Sequence, residues 1–244
     1  MDAAIRIDSR FPHMGTTIFT VMSRLAAECG AVNLSQGFPD FQADRSLFDA
    51  MHRHMLAGRN QYPPMAGMPE LRAAIVDKVA ALYGTRFDPE SEVTVTAGAT
   101  QAIFTAIAAF VRPGDEVIVF EPVYDSYVPA IETVGGTAVF AQLRFPDYAP
   151  DWEQVRRLVT PRTRMIVVNS PHNPTGSLMT AVDLDKLAEI VRGTDIAVLS
   201  DEVYEHILFD GERHASLCGH AELAARSIVV SSFGKTYHIT GWKI

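Results

Sequence analysis

A lysine set between glycine and threonine, Lys235 in the stretch SSFGKTYHITGWKI (Ser231 to Ile244), is the residue whose setting most invites chemistry. It follows the apolar run SIVVSS, so it stands just past an expected strand, and its small neighbours Gly234 and Thr236 leave an amine room to enter a cleft. An ammonium becomes a nucleophile when desolvation or a nearby cation lowers its pKa, and Lys243 is one such cation. Taken singly, a solvated surface lysine is the simpler account.

Three other stretches stand at expected strand ends. Gly98-Ala99-Thr100 follows VTVT and opens a helix, where free N–H groups and the helix dipole suit a phosphate. A plain strand-helix turn capped by Thr100 would read the same way. The stretch lacks G-x-x-x-x-G-K-[ST] and G-x-G-x-x-G, which counts against nucleoside triphosphates and dinucleotides. In NSPHNPTG, prolines follow Ser170 and Asn173, so the loop is stiff and able to aim Asn173, or is a proline turn with local Asx bonds. In SDEVYEH, Asp201 and Glu202 close the run IAVLS and Tyr204 follows. An aspartate there faces the ligand end of a parallel sheet and suits a buried cation or a protonated ring nitrogen. No metal centre is expected, because His52, His54 and His206 lack partners at ligand spacing.

The elements that must position these residues are an alternation of β-branched runs and helical patterns from about Leu47 onward. Strands are expected in EVTVTAG, DEVIVFEP, GTAVFAQL, RMIVVNSP, IAVLSDE and SIVVSSF. Helices are expected in LRAAIVDKVAALY, ATQAIFTAIAAFV, YDSYVPAIETV, DWEQVRRLV and AVDLDKLAEIV, the last capped by Thr180. The fold class is α/β, and the first forty residues read as a loop or arm. With 244 residues, 48% of them hydrophobic, the chain can bury one large core or two smaller ones. A net charge of -8 argues against a nucleic-acid or anionic-membrane partner and favours small-molecule chemistry. Cys29 and Cys218 offer no disulfide framework, the N-terminus MDAAIRIDSR has no apolar signal run, and a cytoplasmic location is expected.

Together, a phosphate cradle, an acid aimed at a ring, Asn173, Tyr204, the aromatic pair in EPVYDSY and an aldehyde-accepting lysine are what pyridoxal 5'-phosphate requires. The ordered series SQGFPDF, NQYPPMAGMPELR, VTVTAGATQA, NSPHNPTG, SDEVYEH and SSFGKTYHITGWK resembles the fold-type I, class I/II aminotransferases, and within them the branch of methionine and kynurenine aminotransferases. The resemblance implies a three-layer α/β/α domain with a mainly parallel sheet. It makes residues 1–44 an N-terminal arm and part of a small domain, and 45–244 the cofactor-binding large domain.

The resemblance also implies roles. Lys235 would form the Schiff base and move the proton, Asp201 would pair with the pyridinium nitrogen, and Tyr204 with Asn173 would bond the ring's phenolic oxygen. Tyr124 would stack on the ring, while Ala99, Thr100, Ser232 and Lys243 would hold the phosphate. Tyr62 would reach the phosphate of a second subunit, making a homodimer with shared sites. Gly37, Asn169 and Phe19 would lie on the substrate side, with an amino acid and a 2-oxo acid as substrates. Past GWK the family continues into a C-terminal domain whose arginine binds the substrate carboxylate; no arginine here matches it, so a truncated chain with impaired activity is expected. A β-lyase acting on sulfur-bearing amino acids and a non-catalytic aminotransferase-like fragment are the alternatives.

Overall fold

The computed structural model describes residues 8–12, 15–35 and 41–244, and Gly37 lies outside them. The chain divides into two compact units between Gln42 and Ala43.

The first unit holds a helix, α1 (Ile18–Glu28), where the sequence suggested only a loop or arm. Its start is set by Thr17, whose hydroxyl accepts from the Thr20 N–H. The apolar spacing of IFTVMSRLAAE was masked by the pattern-free residues around it. Asn33 returns to the helix, donating to the Ser23 hydroxyl at 3.0 Å. Phe19 lies half-buried on α1.

The second unit opens with α2 (Arg45–Leu56) and α3 (Pro69–Tyr83), and α3 begins on a proline, which needs no N–H there, and ends at Gly84 in the left-handed conformation. The expected strand EVTVTAG does not form. Its donors are taken locally: Val95 N–H bonds Ala66 O at 2.9 Å, and Ala97 N–H bonds the Gln101 side chain at 2.5 Å. Those contacts replace a ladder, and the segment runs as an irregular lead into α4 (Ala99–Phe110).

The alternation then follows as read through β1 (Glu116–Glu121), α5 (Tyr127–Thr133), β2 (Thr137–Gln142), α6 (Trp152–Leu158), β3 (Thr163–Asn169), α7 (Ala181–Val191), β4 (Ala197–Asp201) and β5 (Ser227–Val230), with two short helices that the sequence did not suggest, α8 (Ala221–Ala224) before β5 and α9 (Phe233–Thr236) after it. Thr180 and Asp183 form a reciprocal capping box at the start of α7. The five strands pair in parallel, in the order β2-β1-β3-β4-β5. Side chains alternate between two cores, as strand geometry requires. Ile118, Phe120, Ile166, Val168 and Val198 face one way and pack with Trp152, Val155, Leu184 and Leu187 from α6 and α7. Val117, Val119, Met165, Val167 and Leu199 face the other way, against Ile103, Ile107, Tyr127 and Ile131 from α4 and α5. Helices on both faces make three layers, and strands buried on both sides read as near-continuous apolar runs.

The register decides where chemistry can gather. Asn169 pairs with Asp201 across β3 and β4, and Asp201 pairs with Val230 across β4 and β5. Three neighbouring strands therefore end at one level, and the polar residues of three separate motifs emerge side by side.

Candidate active site

Asp201 is the fixed point of this edge. It is 4% exposed, and its Oδ2 accepts the Tyr127 hydroxyl at 2.5 Å while Oδ1 accepts the Val203 N–H at 3.3 Å. Burial pushes its pKa upward, and the two donors oppose that rise. Among the described residues it has no cationic partner. The Tyr127 hydroxyl is pushed up as well, first by burial and then by the Asp201 charge.

Asn169 ties the next strand to it. Its Nδ2 donates to Asp201 O at 2.8 Å, and its Oδ1 accepts the Asn173 N–H at 2.7 Å, so one amide fixes both the strand end and the start of the Asn173 turn. The expected stiff loop is held at further points: Met179 N–H bonds the Ser170 hydroxyl at 3.0 Å, and His172 Nδ1 pairs with the Thr175 hydroxyl at 2.9 Å. Burial lowers the His172 pKa to about 4, which keeps the ring neutral. With both heteroatoms of Asn169 engaged, one Nδ2 hydrogen remains for another acceptor.

Lys235 lies on α9 with its ammonium over the Tyr204 ring, 5.5 Å from the centroid. Tyr204 is half-buried, and burial followed by the Asp201 charge raises its pKa. Glycine precedes the lysine for a steric reason: a Cβ at Gly234 would lie 3.1 Å from the Thr240 Cα, where the chain folds back and Ile239 N–H bonds Gly234 O. Tyr124 meets Tyr127 edge to face, with centroids 5.5 Å apart.

At the start of α4 the chain gathers positive charge. Gly98 has φ +77°, and no side chain caps the helix. A Cβ at Gly98 would lie 3.8 Å from Lys243 Nζ, so this ammonium stands at the positive end of the helix, beside the opening N–H groups of Ala99 and Thr100. Among the described residues no carboxylate pairs with Lys243. Ser232 caps α9 instead of facing outward: its hydroxyl donates to Ile244 O at 2.9 Å and accepts the Gly234 N–H at 3.1 Å.

Tyr62 is 98% exposed and is drawn into none of these contacts. Sequence reasoning noted Tyr127 as half of an aromatic pair but gave it no task, although a tyrosine three residues after Tyr124, in a run opening a helix beneath β4, was its signal. Glu205, buried one residue past Tyr204, was also passed over. The described residues contain no cluster of three or more metal-ligating side chains and no helix long and apolar enough to cross a membrane.

At this edge a strand-end acid, a lysine on the short helix after β5 and the start of α4 stand at the same end of a parallel sheet. The chain belongs to the aminotransferase class I and II family, whose pattern matches residues 30–244. It is 50% identical to the methionine aminotransferase of Escherichia coli over 236 residues, 97% of this chain and 61% of that protein. The solved structure of that methionine aminotransferase superposes with a TM-score of 0.95 at 49% identity, covering 98% of this chain and 63% of the other. N-succinyldiaminopimelate aminotransferase from Mycobacterium tuberculosis superposes at 0.93 with 45% identity, covering 98% and 63%. Rat kynurenine–oxoglutarate transaminase 1 is 34% identical over 251 residues, 96% of this chain and 59% of that protein. The chain thus spans about three-fifths of the length of the relatives it matches.

Proposed function

We propose that this chain binds pyridoxal 5'-phosphate through Lys235 and that the protein transfers the amino group of methionine, or of another large neutral or aromatic L-amino acid, to a 2-oxo acid. The observation that carries the reading is Asp201, a carboxylate 4% exposed at a strand end and lacking a cation among the described residues. Burying an unpaired carboxylate is costly, and a protonated ring nitrogen is the partner that would offset it. The second support is the opposite imbalance at α4, where Lys243 and the helix start face each other without an anion among the described residues; a phosphate would balance both.

Bound pyridoxal phosphate would supply an electron sink for the pair left when the substrate Cα loses its proton. The chain's own residues have the remaining tasks. Lys235 Nζ takes the proton from the donor's Cα in one half-reaction and gives a proton to the corresponding carbon of the 2-oxo acid in the other. Asp201, held by Tyr127 and Val203, keeps its charge aimed at the ring nitrogen. Asn173 and Tyr204 donate to the ring's oxygen, and the Tyr124 ring covers one face. Ala99 and Thr100 N–H groups hold the phosphate with Lys243, joined by Ser232 once its hydroxyl turns from Ile244 O. The spare hydrogen of Asn169 serves the substrate side. Tyr62, free on the surface, reaches the phosphate of a second copy, so the active form is a homodimer. The acidic charge and the unpaired cysteines go with a cytoplasmic enzyme.

The test is production of the keto acid from methionine by the intact protein, with and without a 2-oxo acid acceptor. Acceptor-dependent turnover that Lys235→Ala abolishes is the expected result. Pyruvate and ammonia released from a sulfur-bearing amino acid without acceptor would assign β-elimination instead, and turnover surviving in Lys235→Ala would contradict the reading.

A further inference from the structure

Behind the strand ends lies a carboxylate that the proposed chemistry does not use. The Glu205 side chain is 3% exposed, and each of its oxygens is occupied. Oε1 takes the Lys78 ammonium and the Ser231 hydroxyl, the latter at 2.5 Å, and Oε2 takes the Tyr83 hydroxyl at 2.6 Å. His206 Nε2 stands 3.8 Å from Oε1. Burial alone would push the Glu205 pKa up; the bonds from Lys78, Ser231 and Tyr83 outweigh it and hold the pKa below the ordinary value.

The partners come from elements far apart in sequence. Lys78 and Tyr83 belong to α3, whereas Ser231 follows β5 and stands four residues before Lys235. The helix carrying Lys235 spans only Phe233–Thr236, too short to fix its own orientation. The chain on the other side of the Lys235–Tyr204 contact is bound just as closely, because Tyr204 is joined to Glu205 by one peptide bond. One buried carboxylate therefore holds both partners of that contact, Tyr204 through the backbone and Lys235 through Ser231.

A second carboxylate braces the same wall. Glu202 accepts His214 Nε2 at 2.8 Å, the Ser200 hydroxyl at 2.9 Å and Leu217 N–H at 3.0 Å, and the His214 ring meets Tyr83 edge to face at 6.1 Å. Tyr83 thus touches both hubs, and α3 is fastened to the strand ends at two points. If the wall served packing alone, apolar residues would fill it at lower cost than a buried ion pair.

We propose that Glu205 is a positioning residue for the Lys235 amine, acting through Ser231 and anchored on Lys78 and Tyr83 of α3. The inference rests on the reading that Lys235 carries the cofactor. Its test compares Glu205→Gln, Ser231→Ala and Ser231→Thr with the parent in the intact protein. Three quantities are measured: the apparent affinity for pyridoxal phosphate from borohydride-trapped mass on Lys235, the pH midpoint of the bound cofactor's visible absorbance, and the melting midpoint without cofactor. Ser231→Ala is expected to weaken the affinity about tenfold and to shift the pH midpoint, with Glu205→Gln moving both in the same direction and Ser231→Thr restoring them. A Ser231→Ala protein with parental affinity and pH midpoint would overturn the proposal whether or not Glu205→Gln folds, even if its melting midpoint fell. An unmarked Lys235 in the parent would overturn the cofactor reading itself, and this inference with it.

Discussion

Around Asp201 the chain satisfies itself: Tyr127, Val203, Asn169 and Asn173 interlock at 2.5–3.3 Å, and the acid beneath them is almost fully buried. Around Gly98 it does the reverse, setting Lys243 against the positive end of α4 with no balancing carboxylate among the described residues. The contrast separates two ways of preparing a site. The acid end is pre-organised by protein contacts, so an arriving ring need only supply a proton-bearing nitrogen. The cation end is left electrostatically unfavourable, so an arriving anion supplies the balance and gains affinity from it.

The contrast can be broken first at the acid. In Asp201→Asn the amide keeps a bond from Tyr127 but loses the charge, and transamination is expected to fall about a thousandfold, as for a buried pair deprived of one partner. The cofactor-free protein should melt no lower than the parent, because the desolvation penalty goes with the charge. Steady-state rates and calorimetry on the same preparation check both signs; a destabilised but active variant would contradict the contrast.

Acid should loosen the same end through His172. Its folded pKa is depressed to about 4 from an ordinary 6.5, so the fold favours the neutral ring. That contribution is fully present above pH 6.5 and is lost as pH falls through 4, a change of up to about 3 kcal/mol. Denaturant melts of the parent and of His172→Gln should therefore converge in slope above pH 6.5, with the parent losing more stability between pH 6.5 and 4.

A smaller effect is expected at Tyr127. Tyr127→Phe keeps the ring packed against Tyr124 but removes the donor to Asp201, and should cost about tenfold in rate, the scale of one hydrogen bond to a charged group. The smallest lies at the cation end, where Lys243→Gln should raise cofactor-free stability by a few tenths of a kcal/mol while weakening cofactor affinity a few-fold. Opposite signs in melting and in cofactor titration are the signature; a loss in both would mean that Lys243 has a structural duty instead.

Much of this was legible in the sequence because strands buried on both faces are apolar in succession, and because the residues ending them are the ones a parallel sheet presents to a ligand. SIVVSS, IAVLSDE and RMIVVNSP marked β5, β4 and β3 with their polar ends attached. EVTVTAG misled for a related reason: its β-branched alternation suits a strand, but Ala66 and Gln101 take its donors, and tertiary contacts prevail over local propensity. The helix α1 was missed because its apolar spacing stands between pattern-free residues that together read as a loop. Glu205 was illegible in another way. Nothing local distinguishes it from a surface glutamate beside Tyr204; Lys78, Tyr83 and Ser231 meet it only through the fold.

The most direct measurement is the mass of the intact protein after incubation with pyridoxal phosphate and borohydride, followed by peptide mapping. The account predicts one phosphopyridoxyl group per chain, on Lys235, displaced neither to Lys243 nor to exposed lysines. Labelling spread over surface lysines with Lys235 unmarked would contradict it.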